Sequence, residues 1–179
     1  MAVSPEPAPP VADWREQVHA MFKEERVSQV VYVPDAGHAR LIDACLADPE
    51  ISCGPLTNEF EGVGVVSGAW LGGQRAVMLM QSSGVGNVIN ALGLTHSCRF
   101  PFFTLATMRG EWGEFNPWQI SMGQSTPRVL EASGVVVMRA DSAEEVCEVA
   151  RAGLRLAFSS YVPVAVLISQ RVTGAKVFK

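Results

Sequence analysis

Several features that would declare a compartment, a metal or a nucleic-acid partner are scarce in this sequence. Its four cysteines, Cys45, Cys53, Cys98 and Cys147, lie far apart and form no Cys-x-x-Cys or Cys/His cluster. At 179 residues the chain is long enough for one hydrophobic core without disulfide staples. That pattern predicts a reducing, cytoplasmic setting. Only three histidines occur, and their spacing places no two as ligands on one helix turn or hairpin, so no metal held by this chain is expected. Lys and Arg number 14 against 18 Asp and Glu, for a formal net charge of -4, which excludes a general affinity for nucleic acid. Hydrophobic residues make up 48% and charged residues 18%, a balance that excludes a disordered chain. No export signal is legible, because the first basic residue is Arg15 and the opening ten residues hold four prolines. The longest uncharged run, Ala76 to Cys98, has the length of a bilayer span, yet it contains Gln81, Ser82, Ser83, Asn87, Asn90, Thr95, His96 and Ser97. So many polar groups exclude a membrane helix.

What is present reads as one layered domain. Residues 1–12 are expected to be a disordered Pro-rich tail, since proline removes backbone donors and nothing apolar is available to dock it. Residues 13–179 form the domain. Trp14, Val18, Met21 and Phe22 fall on one side of an opening helix. Short apolar runs then alternate with helical patterns: Val30 to Val33, Ile51 to Cys53, Ala76 to Met80, Phe102 to Ala106, Val135 to Met138 and Val164 to Ile168. After Asp141, Ser142 and Glu145 are spaced as a capping box ahead of Val146, Ala150, Gly153, Leu154 and Ala157 on one face. The alternation predicts an α/β fold, doubly wound, with a mainly parallel six-stranded sheet and helices on both faces, because each parallel connection needs a crossover long enough for a helix.

In open α/β sheets ligands gather beyond the carboxyl ends of the strands. Four post-strand segments are unusual: residues 34–38 (Pro-Asp-Ala-Gly-His), 54–59 (Gly-Pro-Leu-Thr-Asn-Glu), 81–87 (Gln-Ser-Ser-Gly-Val-Gly-Asn) and 109–119, which carries Trp112 and Trp118 among glycines and a proline. Glu59 opens a helix with Thr57 or Asn58 as N-cap. An acid there complements the helix dipole, and Asn58 with Glu61 has the spacing of a capping box. The helix also carries Gly62, Gly64 and Gly68, each costing about 0.5–1 kcal/mol relative to Ala, so a close neighbour is expected against it: a helix across a subunit interface or a cofactor ring. Residues 81–87 lead a strand into a helix whose free N–H groups suit an anion. The third glycine of GxGxxG, a GxxxxGK[ST] loop and a ribose-binding acid are all missing, which disfavours a nucleotide-binding protein. His38 beside Asp35 is either a proton carrier or substrate ligand near neutral pH or a solvated loop residue. Arg109 presents a planar fork suited to a carboxylate, sulfonate or phosphonate, or else pairs with Glu111 or Glu114. No GxSxG elbow supports serine hydrolysis.

Laid out this way, the chain resembles the pyrimidine-binding (PYR) domain of thiamine-diphosphate enzymes, and within them the sulfopyruvate decarboxylase α-subunit family. The resemblance runs from about Trp14 to Ile168 and rests on Leu56-Thr57-Asn58-Glu59-Phe60-Glu61-Gly62-Val63-Gly64, on Ala69-Trp70-Leu71-Gly72-Gly73 and on the stretch from Met78 through Gln81-Ser82-Ser83-Gly84-Val85-Gly86-Asn87 to Leu92. It implies that Glu59 hydrogen-bonds the cofactor's aminopyrimidine ring and hands it a proton, favouring the imino tautomer whose exocyclic nitrogen removes the thiazolium C2 proton. It also implies that Ser83, Gly84, Gly86 and Asn87 line the cofactor site.

The same resemblance implies thiamine diphosphate with Mg²⁺ as cofactors. The metal and diphosphate belong to a Gly-Asp-Gly…Asn motif that is missing here, since none of the five aspartates (Asp13, Asp35, Asp43, Asp48, Asp141) lies between glycines. A partner β subunit is therefore expected to hold Mg²⁺. The implied reaction converts 3-sulfopyruvate to sulfoacetaldehyde and CO₂, with phosphonopyruvate as the alternative 2-oxo acid. Glu59 and His38 are the expected catalytic residues, and Asp35, His38, Arg109 and Gln119 the expected contacts to the small anionic substrate. A non-catalytic PYR-like assembly module is the competing reading. No nucleic-acid or membrane partner is expected.

Overall fold

The structure, a computed structural model, describes residues 13–175. The expected tail at residues 1–12 and the last four residues lie outside the described part. The elements run α1 (Trp14–Glu24), β1 (Val27–Tyr32), α2 (Ala39–Ala47), β2 (Ser52–Pro55), α3 (Glu59–Leu71), β3 (Arg75–Gln81), α4 (Ser82–Val88), α5 (Gly93–Cys98), β4 (Phe102–Thr107), α6 (Trp118–Ala132), β5 (Val136–Ala140), α7 (Ala143–Ser160), β6 (Pro163–Ile168) and α8 (Gln170–Thr173). All six predicted strands are present. They form one sheet in the order β2-β1-β3-β4-β6-β5, and every pairing is parallel.

The sequence dictates this layering through strand composition. β4 (FFTLAT) and β6 (PVAVLI) are buried at every position, as a strand covered on both faces must be. The alternation of side chains then sorts the core into two halves. Val30, Val77, Leu79, Phe103, Leu105, Val164 and Val166 point to one side, where α1, α2 and α7 supply Phe22, Leu41 and Leu154. Val31, Met78, Met80, Phe102, Ala106, Ala165 and Leu167 point to the other, where α3, α4 and α6 supply Val63, Val85 and Leu130. The apolar stripe read from the opening helix is the buried face of α1. The α7 cap differs from its reading: Ser142 occupies the N-cap but makes no side-chain cap bond, and Glu145 instead accepts from the Asp141 N–H at 3.1 Å. The acid reaches one residue further back than the capping-box spacing predicts.

The doubly wound arrangement sends the chain from β1 outward to β2 and then back across to β3. This reversal lies beside the carboxyl ends of β1 and β3, the position at which open α/β sheets form a crevice. The two-sided burial predicts a sharp contrast in the isolated chain. Leu79→Ala, in the centre of β3 and 0% exposed, should cost about 2–5 kcal/mol in urea unfolding. Leu71→Ala, at the end of α3 and 72% exposed, should change it by no more than about 0.5 kcal/mol. Comparable losses at both sites would contradict the layering.

Candidate functional site at the carboxyl edge of the sheet

All four segments singled out in the sequence meet at this edge. Glu59 begins α3, but the capping work is done by its neighbours: Asn58 Oδ1 accepts the Phe60 N–H at 2.8 Å and Glu61 Oε2 accepts the Thr57 N–H at 2.9 Å. Glu59 is thereby free to turn inward and is only 7% exposed. Its Oε2 accepts a hydrogen bond from Asn87 Nδ2 at 2.8 Å, across 28 residues of sequence, while Oε1 receives none among the described residues. Gly84 makes the approach possible. A Cβ on it would lie against Glu59 Oε1, 2.5 Å from Cδ and 2.6 Å from Cγ, closer than any real side chain packs. The other glycines differ in purpose. Gly62 accommodates Leu56 and the Met78 sulfur, which would meet a Cβ at 2.7 and 2.8 Å, whereas Gly64 and Gly68 have nothing within 4 Å. The expectation of a close neighbour along the whole glycine row therefore holds within this chain for Gly62 alone. Gly86 faces α6, where a Cβ would lie 3.2 Å from the Met122 sulfur. The Ser83 hydroxyl donates to Gln81 Oε1 at 2.8 Å.

Beside this lies a second polar cluster at the end of β1. Asp35 accepts from Gln81 Nε2 on Oδ1 at 3.0 Å and from the Thr107 hydroxyl on Oδ2 at 2.6 Å. His38 Nδ1 stands 3.3 Å from the same Oδ2, outside good hydrogen-bond alignment. Burial pushes the Asp35 carboxyl up, but the adjacent His38 and the donors on Thr107 and Gln81 outweigh it and hold the acid well below the usual carboxylate range. Asp35, Gly37, Thr107 and Arg109 line a cavity of about 110 Å³ closed by Thr173–Ala175. His38 does not line it and is 0% exposed. The solvated-loop reading of His38 is thus corrected: its ring is buried behind Asp35. Asp35 is the member of the pair that faces the cavity.

Arg109 takes the second of its two readings, the pair with a nearby acid. Its fork closes on Glu114, Nε to Oε2 at 2.7 Å and Nη2 to Oε1 at 2.6 Å, so the internal pair, not a free anion site, occupies the guanidinium edge. Glu114 further accepts from the Gly110 and Asn116 N–H groups and from Gln170 Nε2. The Arg109 guanidinium, with these hydrogen bonds, takes the Glu114 carboxyl down to about 2 against the opposing effect of burial. Glu111 pairs with Arg139. Gln170, 0% exposed, receives the Glu111 and Trp112 N–H groups on Oε1, each at 3.0 Å, and pins the loop between β4 and α6. No motif reading marked Gln170; its only signal was a polar residue two positions after an apolar strand. Gln119 lies in the first turn of α6 with its Oε1 buried and lacking a hydrogen-bond partner among the described residues. Trp118 beside it is 85% exposed and borders an open cavity with Ser83, Met122 and Ser125. Among the described residues no three His, Cys, Asp or Glu side chains converge as a metal site, and no helix is long and apolar enough to cross a membrane.

A nearly buried carboxyl with one oxygen held and the other offered, at a crevice of a parallel α/β sheet, suits the aminopyrimidine of thiamine diphosphate, whose ring nitrogen needs one proton-exchanging partner. Comparison with known proteins leads to the same class. Residues 34–177 match the family described as pyruvate flavodoxin/ferredoxin oxidoreductase, thiamine diphosphate-binding, and the chain belongs to that thiamine-diphosphate-binding family. Within it, the chain is 33% identical over 154 residues to the sulfopyruvate decarboxylase subunit alpha of Methanococcus maripaludis, covering 86% of this chain and 92% of that one. It is 36% identical over 119 residues to the subunit alpha of Methanothermobacter thermautotrophicus, covering 66% and 72%. A phosphonopyruvate decarboxylase of Streptomyces viridochromogenes is 36% identical over 107 residues, 59% of this chain and 27% of that one. The fold superimposes on a 2-oxoglutarate:ferredoxin oxidoreductase of Magnetococcus marinus with TM-score 0.69 at 16% identity, covering 88% of this chain and 28% of that one.

Two predictions follow from this geometry. Gly84→Ala and Glu59→Ala should be non-additive in unfolding free energy, with a coupling of about 0.5–3 kcal/mol, because the added methyl collides only while the glutamate is present; additive effects would deny the contact. Glu114, lowered from 4.5 to about 2 in the folded chain, stabilises fully above its unfolded value and loses that contribution as pH falls from about 4.5 towards 2. The stability advantage of wild type over Glu114→Gln should therefore be larger at pH 7 than at pH 3, as read by urea unfolding at the two pH values.

Proposed function

We propose that this chain is the α (PYR) subunit of a cytoplasmic, thiamine-diphosphate-dependent 2-oxo acid decarboxylase that converts 3-sulfopyruvate to sulfoacetaldehyde and CO₂. The observation that carries the reading is the inward-turned Glu59, held by Asn87 over the bare Cα of Gly84. Three relatives bearing the name sulfopyruvate decarboxylase subunit alpha support it. Bound thiamine diphosphate supplies the electron sink that accepts the pair released with CO₂.

The chain's own residues perform the positioning and proton work. Glu59 would hold the cofactor's aminopyrimidine ring and carry the proton it needs, with Asn87 fixing the carboxyl through Oε2 and leaving Oε1 for that role. Ser83, Gly84 and Gly86 shape the adjoining wall. Asp35 presents a carboxylate to the substrate cavity and His38 acts through it from behind. Gln119 contributes a buried acceptor near the same edge. A β subunit completes the site by holding Mg²⁺ and the diphosphate. The exposed Trp118 suits the rim that such a partner covers. Phosphonopyruvate is the second reading of the substrate, favoured by the 36% identity to the Streptomyces viridochromogenes enzyme.

The test is reconstitution. CO₂ release from 3-sulfopyruvate and from phosphonopyruvate should require this chain, its partner, thiamine diphosphate and Mg²⁺ together, and run faster with the sulfonate. Glu59→Gln should assemble normally and lose at least about 10²-fold in kcat, the scale of a lost acid–base group. Decarboxylation by the chain alone would contradict the split site; full turnover by the Gln variant would contradict the role of Glu59. Titration calorimetry of the complex with thiamine diphosphate separates an enzyme from an assembly module, which would show no saturable heat.

A further inference from the structure

Gln81 ends β3 and has no role in the reaction as set out above, yet its side chain links the two polar clusters. Its Nε2 donates to Asp35 Oδ1 at 3.0 Å and its Oε1 accepts from Ser83 at 2.8 Å. The orientation of the amide is forced. A carboxylate only accepts, so the NH₂ end must face Asp35, and the hydroxyl of Ser83 then supplies the donor for the oxygen. Asp35 is consequently held from separate strands: by Gln81 of β3 on Oδ1 and by Thr107 of β4 on Oδ2. Gly37 permits the closure, since a Cβ there would lie 2.7 Å from Thr107 Cγ2 and 2.9 Å from Asp35 Oδ2.

The Asp35 side chain is only 6% exposed, yet it lines the cavity with Gly37, Thr107 and Arg109, while Gln81 and His38 stay out of its wall. The network therefore holds one oriented, largely buried carboxylate at the cavity wall. We propose that Gln81 is a positioning residue, resting on the function inferred above: it fixes the rotamer of the cavity-facing Asp35 and couples it to Ser83 on the cofactor side, so that the substrate-side and cofactor-side walls keep one relative geometry. Positional precision of this kind acts on the reaction rate more than on ground-state binding. The charged groups around the pair are His38 on the β1 turn, Arg109 with its partner Glu114 at the exit of β4, and Arg15 of α1, whose Nε donates to the Gly37 carbonyl at 3.2 Å.

Two substitutions in the assembled complex test this. Gln81→Met keeps approximate shape and removes both polar ends; kcat should fall about tenfold or more with KM and thiamine diphosphate affinity unchanged. Gln81→Glu sets a second carboxylate against Asp35. Its kcat should be lower still at pH 8 and recover relative to wild type towards pH 5, where the two acids share a proton and the donor is restored. Independently of turnover, the side-chain amide resonances of Gln81 in the ¹⁵N-labelled full chain should shift on Asp35→Asn, a measurement that stands even where a Gln81 variant fails to fold. Unmoved resonances, wild-type kcat in both variants, or a Gln81→Glu defect equal at pH 8 and pH 5 would overturn the proposal. A wild-type complex that binds no thiamine diphosphate would instead sink the functional reading, leaving the amide result to be judged alone.

Discussion

The contact between Glu59 and the start of α4 is the constraint around which the functional edge is arranged. A carboxyl 7% exposed is costly to desolvate unless something compensates, and the compensation here is one directed amide donor from Asn87. Both partners depend on a missing side chain, because Gly84 allows α3 and α4 to close until the glutamate rests on backbone. An alanine there forces either the helix apart or the glutamate out. In a layered α/β domain, where strand ends are fixed by the sheet, the second outcome would open the crevice and dissolve the site.

The rest of the molecule can be understood as making that edge rigid. A parallel sheet buried on both faces leaves its strand ends in fixed register, and the residues of the candidate site and its supports sit within a few positions of those ends: Asp35 after β1, Glu59 after β2, Gln81 at the end of β3, Thr107 at the end of β4 and Gln170 after β6. Each is held by a hydrogen bond from another element. The loop between β4 and α6 is fastened by Gln170 and by the Arg109–Glu114 pair. Charge at this edge is thus largely compensated internally; Asp35 lines a cavity, and Glu59 keeps one oxygen without a donor among the described residues.

Much of this was legible in the sequence because it follows from periodicity. The uniform apolar runs of β3, β4 and β6 mark a doubly covered sheet, and the stripe Trp14, Val18, Met21, Phe22 gives the buried face of α1. Glu59 also stood out, since an acid heading a helix weakened by three glycines calls for a reason. The reason itself was only half visible. Helix cost shows that a glycine is needed, not what approaches it, and Gly62 accommodates a leucine and a methionine while Gly64 and Gly68 face open space. Pairings between distant residues were invisible to pattern: Asp35 with Gln81 spans 46 residues and with Thr107 spans 72. Arg109 had two acids within reach; Gln170 of α8 also binds Glu114 and Arg139 of β5 takes Glu111, which leaves Glu114 to Arg109. His38 misled for a similar reason. A histidine in a turn after a strand looks accessible until the helix it caps folds over it.

The most direct test of the central claim is a crystal structure of the assembled complex with thiamine diphosphate. The account predicts the Glu59 carboxyl within hydrogen-bond reach of the aminopyrimidine ring nitrogen, about 2.6–3.2 Å, with Asn87 still bonded to its other oxygen. A cofactor ring bound elsewhere, with Glu59 rotated into solvent and Asn87 unpaired, would contradict it.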